Sequence, residues 1–180
     1  TKASRIVRAA KGRVVSEFGA RRAQGAESSI YGARAAYIGG CHSTSNTIAD
    51  RDFGVNASGT MAHAWVQMFD TEYEAFEAYC RIYPNNATLL IDTYNVMKSG
   101  LPNAIRAFKE ILVPQGIHNF AVRLDSGDIT YLTKKIRKKL IEEGLPECKI
   151  IVSNSLDEHI IRDIINQGAE VDGFGVGERL

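Results

Sequence analysis

Long apolar runs are missing from this 180-residue chain, and so is an excess of charge of either sign. No stretch approaches the roughly 20 apolar residues of a membrane-spanning helix. Lysine and arginine number 22 against 21 aspartates and glutamates, a net charge of +1. That balance points to neither a nucleic acid nor a membrane surface as partner. Cysteine is scarce. Cys41, Cys80 and Cys148 are odd in number and lack metal-ligand spacing, which argues against a disulfide framework or zinc module and fits reduced thiols in the cytoplasm. Thr1-Lys2-Ala3-Ser4 has no apolar signal-peptide core behind it. There is no CxxC pair, no GxSxG elbow, no HExxH and no Walker loop. Low-complexity segments and domain linkers are lacking too, and the length suffices for one domain with its own core.

What is present is an alternation, clearest from Leu89 to Leu180. Apolar runs at Thr88–Ile91, Phe120–Val122, Lys149–Val152 and Val171–Phe174 each lead into a polar or flexible tip. The tips are Asp92-Thr93-Tyr94, Arg123 to Asp128, Ser153 to Asp157, and Gly175-Val176-Gly177. All but the last are followed by an amphipathic helix. Strands alternating with helices predict an α/β fold with a parallel sheet. In such sheets ligands sit at the carboxyl ends of the strands, where each tip falls.

The first half is less regular. Arg5 to Lys11 reads as the end of a helix closed by Gly12, and Arg13-Val14-Val15-Ser16 as a short strand. Ala26 to Ile38 is a helix rich in small residues, which predicts tight packing and burial. Cys41 to Val55 reads as a long polar loop of a functional kind. Thr71 and Glu74 have the spacing of a capping box, ahead of a helix with Phe76, Tyr79, Cys80 and Tyr83 on one face. Further on, Gly100 and Pro102 open a helix. Ile129, Leu132, Ile136 and Leu140 form the inward face of the next, whose lysine-rich side is a solvated face. Asp157 caps a last helix with Ile160, Ile161, Ile164 and Ile165 inward.

Several residues can carry chemistry. His63 follows a Gly-Thr turn in an apolar stretch, where a core histidine bonded to a backbone carbonyl is the plain alternative to a site role. His42, His118 and His159 carry only that plain reading. Arg123 and Asp125 share one side of a strand end, as an ion pair or as part of a site. Asp92 ends an apolar run, and a carboxylate buried there needs a cation, a metal or a ligand. Gly173, Gly175 and Gly177 alternate at the last strand end. Their amides can cradle a phosphate, although the spacing is not that of a dinucleotide fingerprint. These features suit a phosphorylated, metal-bound substrate.

The motifs together resemble the nicotinate phosphoribosyltransferase family. The matching stretches are Glu17 to Arg22, Ser43 to Asn46, Gly59 to His63, Leu90 to Tyr94, Val122 to Asp128, Ser153 to Glu158 and Gly173 to Gly177, in family order. The resemblance implies an irregular α/β barrel of the type II phosphoribosyltransferase kind, incomplete here. Residues 1–180 would be the central part of the barrel domain, as an internal fragment without the N-terminal segment and the C-terminal remainder. It implies the joining of nicotinate to phosphoribosyl pyrophosphate with ATP hydrolysis coupled, in NAD salvage, with Mg²⁺ on the pyrophosphate. It also implies a homodimer with a shared active site.

Residue roles follow from the same resemblance. His63 matches the histidine phosphorylated by ATP, with Asp92 as the carboxylate that orients it. Phe18 matches the aromatic stacked on the pyridine ring and Arg21 the cation beside it. Thr60, in the Gly59 to His63 stretch, is counted with the substrate-binding residues. Arg123 faces the substrate carboxylate or phosphates. Asp125 holds ribose hydroxyls or magnesium. Ser153, Asn154 and the amides at Gly175 and Gly177 hold the ribose and its 5′-phosphate. Ser45 stands where the related nicotinamide enzyme has an aspartate that would repel a carboxylate, which favours nicotinate. Two positions depart from the family. Glu178 replaces a common Thr and is expected to point away from phosphate, and Ala64 follows the histidine where Ser or Glu is frequent. The rival readings are a nicotinamide or quinolinate phosphoribosyltransferase, and a non-catalytic nucleotide-binding relative. A quinolinate enzyme would want a denser cationic pocket than Arg21, Arg22 and Arg123, and a binding module needs no activated histidine.

Overall fold

The computed structural model describes residues 1–180, which divide into two compact units. The first comprises Thr1–Gly59 and Val152–Leu180, the second Thr60–Ile151. No helix is long and apolar enough to cross a membrane.

The first unit opens with α1 (Lys2–Ala9), capped by Ala10 and so ending two residues before the expected Lys11; Lys11 and Gly12 follow with positive φ and turn the chain away. Strand β1 (Val14–Glu17) follows, then α2 (Ala26–Ile38), β2 (Ser43–Thr44) and α3 (Thr47–Phe53). The segment read as a long loop thus holds a strand and a helix. The Asn46 side chain accepts the amides of Ile48 and Ala49, and Gly54, at φ 64°, closes α3 in the left-handed region. A seven-residue helix capped at both ends has too few apolar positions for its period to show in sequence. The small-residue helix α2 is not buried: only Ala33 and Ala36 are inside, and Tyr31, Tyr37 and Ile38 are exposed. Small side chains permit close approach on one face without requiring it on the others.

In this unit β1 lies between β2 and β6 (Gly173–Val176), all parallel. Ser16 pairs with Ser43 and Gly175, and Glu17 with Thr44 and Val176. The last strand therefore runs through Gly175 and Val176 rather than ending before them. Helix α8 (Glu158–Asn166) is capped by Asp157, whose Oδ1 accepts the His159 and Ile160 amides. Ile161 and Ile164 are its buried pair, with Ile160 and Ile165 only half-buried.

The second unit contains α4 (His63–Gln67), α5 (Glu72–Ile82), β3 (Ala87–Leu90), α6 (Leu101–Ala107), β4 (Phe120–Leu124), α7 (Ile129–Glu142) and β5, which spans Lys149–Val152 and crosses the unit boundary at its last residue. Strand β4 pairs in parallel with β3, Leu90 opposite Arg123, and β5 neighbours β4. All four residues of β3 are buried. The capping box forms as its spacing requires, Thr71 accepting from Glu74 and Glu74 accepting from Thr71. The helix expected from Gly100 starts earlier, in a wide π turn at Val96–Gly100 with Asn95 as its cap. Gly100 packs on β3's continuation so tightly that a β-carbon there would lie 1.8 Å from the Ile91 carbonyl oxygen. In α7 the buried face is Thr133, Ile136 and Leu140; Ile129 and Leu132 are half-buried. Thr133 is accommodated because its hydroxyl donates to the Ile129 carbonyl one turn back.

Candidate active site

The second unit brings His63, Asp92, Arg123, Asp125 and Thr60 into one hydrogen-bonded group. His63 is the first residue of α4, and Asp92 follows β3. The Asp92 side chain is 1% exposed, and its Oδ1 lies 3.2 Å from His63 Nε2. Its Oδ2 accepts the Asp125 amide at 3.1 Å and the Ser126 hydroxyl at 2.5 Å. A buried carboxylate with three donors is satisfied without a metal. Because that carboxylate only accepts, the His63 proton sits on Nε2, which leaves the lone pair on Nδ1. The His63 side chain is 42% exposed. This arrangement excludes the plain reading of His63 as a core histidine bonded to a backbone carbonyl: its Nε2 partner is a carboxylate.

Arg123 lies in β4, one residue before its end, rather than beyond the strand. Its Nη1 donates to the Thr60 hydroxyl at 2.6 Å and its Nη2 lies 3.3 Å from Asp125 Oδ1. The ion pair expected of Arg123 and Asp125 is therefore formed. The pair sits on the same turn whose backbone and Ser126 hydroxyl hold Asp92.

The first unit brings together a second set. Phe18 and Arg21 follow β1, Ser45 follows β2, Ser153 and Asn154 follow β5, and Gly175 and Gly177 lie in and just after β6. Phe18 is half-buried, with its amide donating to the Val176 carbonyl at 2.7 Å. The Ser45 amide donates to the Glu17 carbonyl at 2.9 Å, and its side chain is exposed. Arg21 is exposed in the short turn Ala20–Arg22. A β-carbon on Gly175 would stand 2.5 Å from Phe18 Cε2 and 3.4 Å from Ser153 Cβ; one on Gly177 would stand 2.8 Å from the Phe18 carbonyl oxygen. Ser153 is buried, while Asn154 and Ser155 adopt φ of 87° and 51°. Two consecutive non-glycine residues in the left-handed region are a strained arrangement of the kind found at ligand sites. Glu178 turns to Arg22, 3.5 Å from its Nη1.

Two contributors were outside the sequence reading. Ser126 was one residue of a tip, with nothing in its spacing to link it to Asp92. Glu17 is buried at the end of β1 and accepts from the Gly19 amide and the Thr44 hydroxyl. Its signal was the one that marked Asp92, a carboxylate closing an apolar run.

Comparison with known proteins defines the class. The sequence model of the nicotinate phosphoribosyltransferase (NAPRTase) family matches residues 14–180, and the chain belongs to that family. The nicotinate phosphoribosyltransferase of Bacillus subtilis is 46% identical over 180 residues, which are 100% of this chain and 36% of that protein. A crystal structure of human nicotinic acid phosphoribosyltransferase superposes with a TM-score of 0.85 at 28% identity, covering 98% of this chain and 46% of that one. The structure of a nicotinate-nucleotide pyrophosphorylase from Pyrococcus furiosus gives a TM-score of 0.82 at 31% identity, covering 99% of this chain and 45% of that one. The chain thus spans between a third and a half of the length of these relatives. Its fold is the expected α/β one, an incomplete barrel of the type II phosphoribosyltransferase kind.

Proposed function

We propose that the protein containing this chain joins nicotinate to phosphoribosyl pyrophosphate, giving nicotinate mononucleotide and pyrophosphate in NAD salvage, with ATP hydrolysis coupled through His63. Family membership supports the reaction class, and the observation that carries the histidine step is the His63–Asp92 pair. Asp92 holds Nε2–H, so the Nδ1 lone pair attacks the γ-phosphorus of ATP. The bond to the bridging oxygen breaks and ADP leaves. Water later hydrolyses the phosphohistidine and returns phosphate. In the transfer itself the bond from ribose C1 to pyrophosphate breaks and a bond to the pyridine nitrogen forms. The transition state at C1 is cation-like, so binding, orientation and charge stabilisation do most of the work.

In this reading Phe18 stacks on the pyridine ring, Arg21 faces its carboxylate, and Ser45 leaves that carboxylate unrepelled. Ser153, Asn154 and the amides around Gly175 and Gly177 hold the ribose phosphate. Arg123 offers a planar fork to a carboxylate or phosphate, with Thr60 fixing one of its nitrogens. Mg²⁺, when bound, would neutralise charge on the leaving pyrophosphate. No three ligating side chains cluster, but magnesium keeps several waters and takes other oxygens from substrate phosphates, so Asp125 alone fits as a protein ligand. A cytoplasmic homodimer with a shared active site belongs to the same reading.

The test is a product assay on the full-length protein, native and His63→Ala, with nicotinate, phosphoribosyl pyrophosphate and Mg²⁺, with and without ATP. ATP-stimulated nicotinate mononucleotide formation in the native protein alone is the expected result. Preference for nicotinamide or quinolinate would overturn the base assignment. Absence of product with all three bases from a folded protein would favour a non-catalytic nucleotide binder.

A further inference from the structure

Glu17 ends β1 with its side chain almost wholly out of water, at 4% exposure. A carboxylate in such a place is costly unless donors meet it. Its Oε1 accepts the Gly19 amide and its Oε2 accepts the Thr44 hydroxyl, the latter at 2.5 Å. The Thr44 hydroxyl in turn accepts the Asn46 amide at 3.0 Å, and the backbone carbonyl of Glu17 accepts the Ser45 amide at 2.9 Å. One residue therefore ties two turns together. The turn after β1 carries Phe18 and Arg21; the turn after β2 carries Ser45. The fit leaves no room for a side chain at position 19, where a β-carbon would stand 2.8 Å from Glu17 Oε1 and 3.2 Å from the Gly177 carbonyl oxygen.

We propose that Glu17 is the positioning residue of the pyridine-base pocket, setting the spacing between the Phe18–Arg21 turn and Ser45 without touching the base. The proposal rests on the assignment of those three residues to the base. A stacking ring and a selecting side chain on separate turns need a rigid support behind them, because a small displacement of either loosens the pocket. One Glu17 side-chain bond reaches the backbone of the Phe18–Arg21 turn, and the other reaches Thr44, the last residue of β2 and the one directly before Ser45, so loss of the carboxylate frees both sides of the pocket where the strands end. Gln at this position can accept from Gly19 through its carbonyl oxygen. Its amide, a donor, would meet a Thr44 hydroxyl that needs an acceptor for its own proton.

The experiment is steady-state kinetics on the full-length protein carrying Glu17→Gln, Glu17→Ala or Thr44→Val, with Phe18→Leu and Thr71→Ala as references. Expected for Glu17→Gln is a rise of about tenfold in KM for nicotinate, with KM for phosphoribosyl pyrophosphate within about twofold, the size of losing one charge-assisted bond. Glu17→Ala should raise it further, and Thr44→Val should raise it less. Thr71→Ala lowers stability through a helix cap in the other unit and should leave both KM values alone, which separates positioning from general loss of stability. Equal changes in both KM values, or a fall in kcat alone, would overturn the proposal. If Phe18→Leu raises KM for nicotinate while folded Glu17 and Thr44 variants do not, the base pocket stands and the role of Glu17 falls. If Phe18→Leu leaves that KM unmoved, the base assignment falls and takes the proposal with it. Should both Glu17 variants fail to fold, Thr44→Val, which keeps the side-chain shape, still decides.

Discussion

Phe18 lies across Gly175 so closely that a β-carbon on the glycine would reach 2.5 Å from the ring. The ring and the strand β6 are thus fitted to one another, and the alternating glycines have a steric reason in addition to any service their amides give a phosphate. Gly175 has an ordinary negative φ, so an added methyl meets the ring and not a backbone restriction. Gly175→Ala should therefore push Phe18 aside and cost about 1–3 kcal/mol of stability, the usual range for overpacking. Urea unfolding measures that cost, and KM for nicotinate should rise with it. Combined with Phe18→Ala, the substitution should cost much less than the sum of the two, since the clash has gone. Additive costs would show that the ring is elsewhere.

Asp92 holds His63 through one oxygen and the Asp125–Ser126 turn through the other. In Asp92→Asn one of these contacts must face an amide donor. The histidine loses its fixed tautomer, and ATP-dependent turnover should fall by about 10²- to 10⁴-fold, the range for misplacing a base or its orienting carboxylate. Phosphate incorporation from labelled ATP, detected as acid-labile label on His63, is the direct measurement. Full labelling of the variant would remove Asp92 from the mechanism.

Glu72 is buried at the start of α5, and its carboxyl is held above the ordinary carboxylate range, by burial first and by the Asp92 charge as well, against hydrogen bonds from Ser99 and Asn103. A raised folded-state pKa means that the folded protein holds this proton more tightly than the unfolded chain. Stability is then lost as pH rises from 4.5 through the raised value. Glu72→Gln should remove that slope. The variant should gain on the native protein in thermal midpoint between pH 5 and pH 8, and an unchanged difference across that span would contradict the assignment.

Burial pushes the Cys41 thiol up to about 11, helped by the Glu17 charge, and the Cys80 thiol up to about 12. At pH 8 both are almost entirely protonated. Alkylation by iodoacetamide should be slower in the folded protein than in urea by about 10²-fold or more, because the thiolate is the nucleophile. Mass spectrometry of peptides containing Cys41 and Cys80 reads the two sites separately, and rapid labelling of either would contradict its burial.

The second half of the chain was the more legible. Its apolar runs are strands, and its cap at Asp157 forms as written, as does the Thr71 capping box of the first half, because a capping side chain meets amides only two or three residues away. Helix α3 and strand β2 were not legible. Both are too short for a hydrophobic period to register, and β2 is held by groups distant in sequence, such as the Glu17 carboxylate on Thr44. The exposure of α2 was equally hidden, since alanines and glycines suit a buried and a solvated face alike.

Sequence alone determined the βα order, the strand-end location of Asp92, Arg123, Asp125 and Ser153, and the family resemblance, because these depend on local pattern and on residue identity. Only tertiary structure decided which oxygen of Asp92 holds His63, that Ser126 shares that carboxylate, that Phe18 occupies the space above Gly175, and that Glu17 at the end of β1 meets Thr44 at the end of β2, 27 residues away. Those are contacts between side chains brought together by strand register and packing, and a carboxylate in a sequence carries no mark of which donor will reach it.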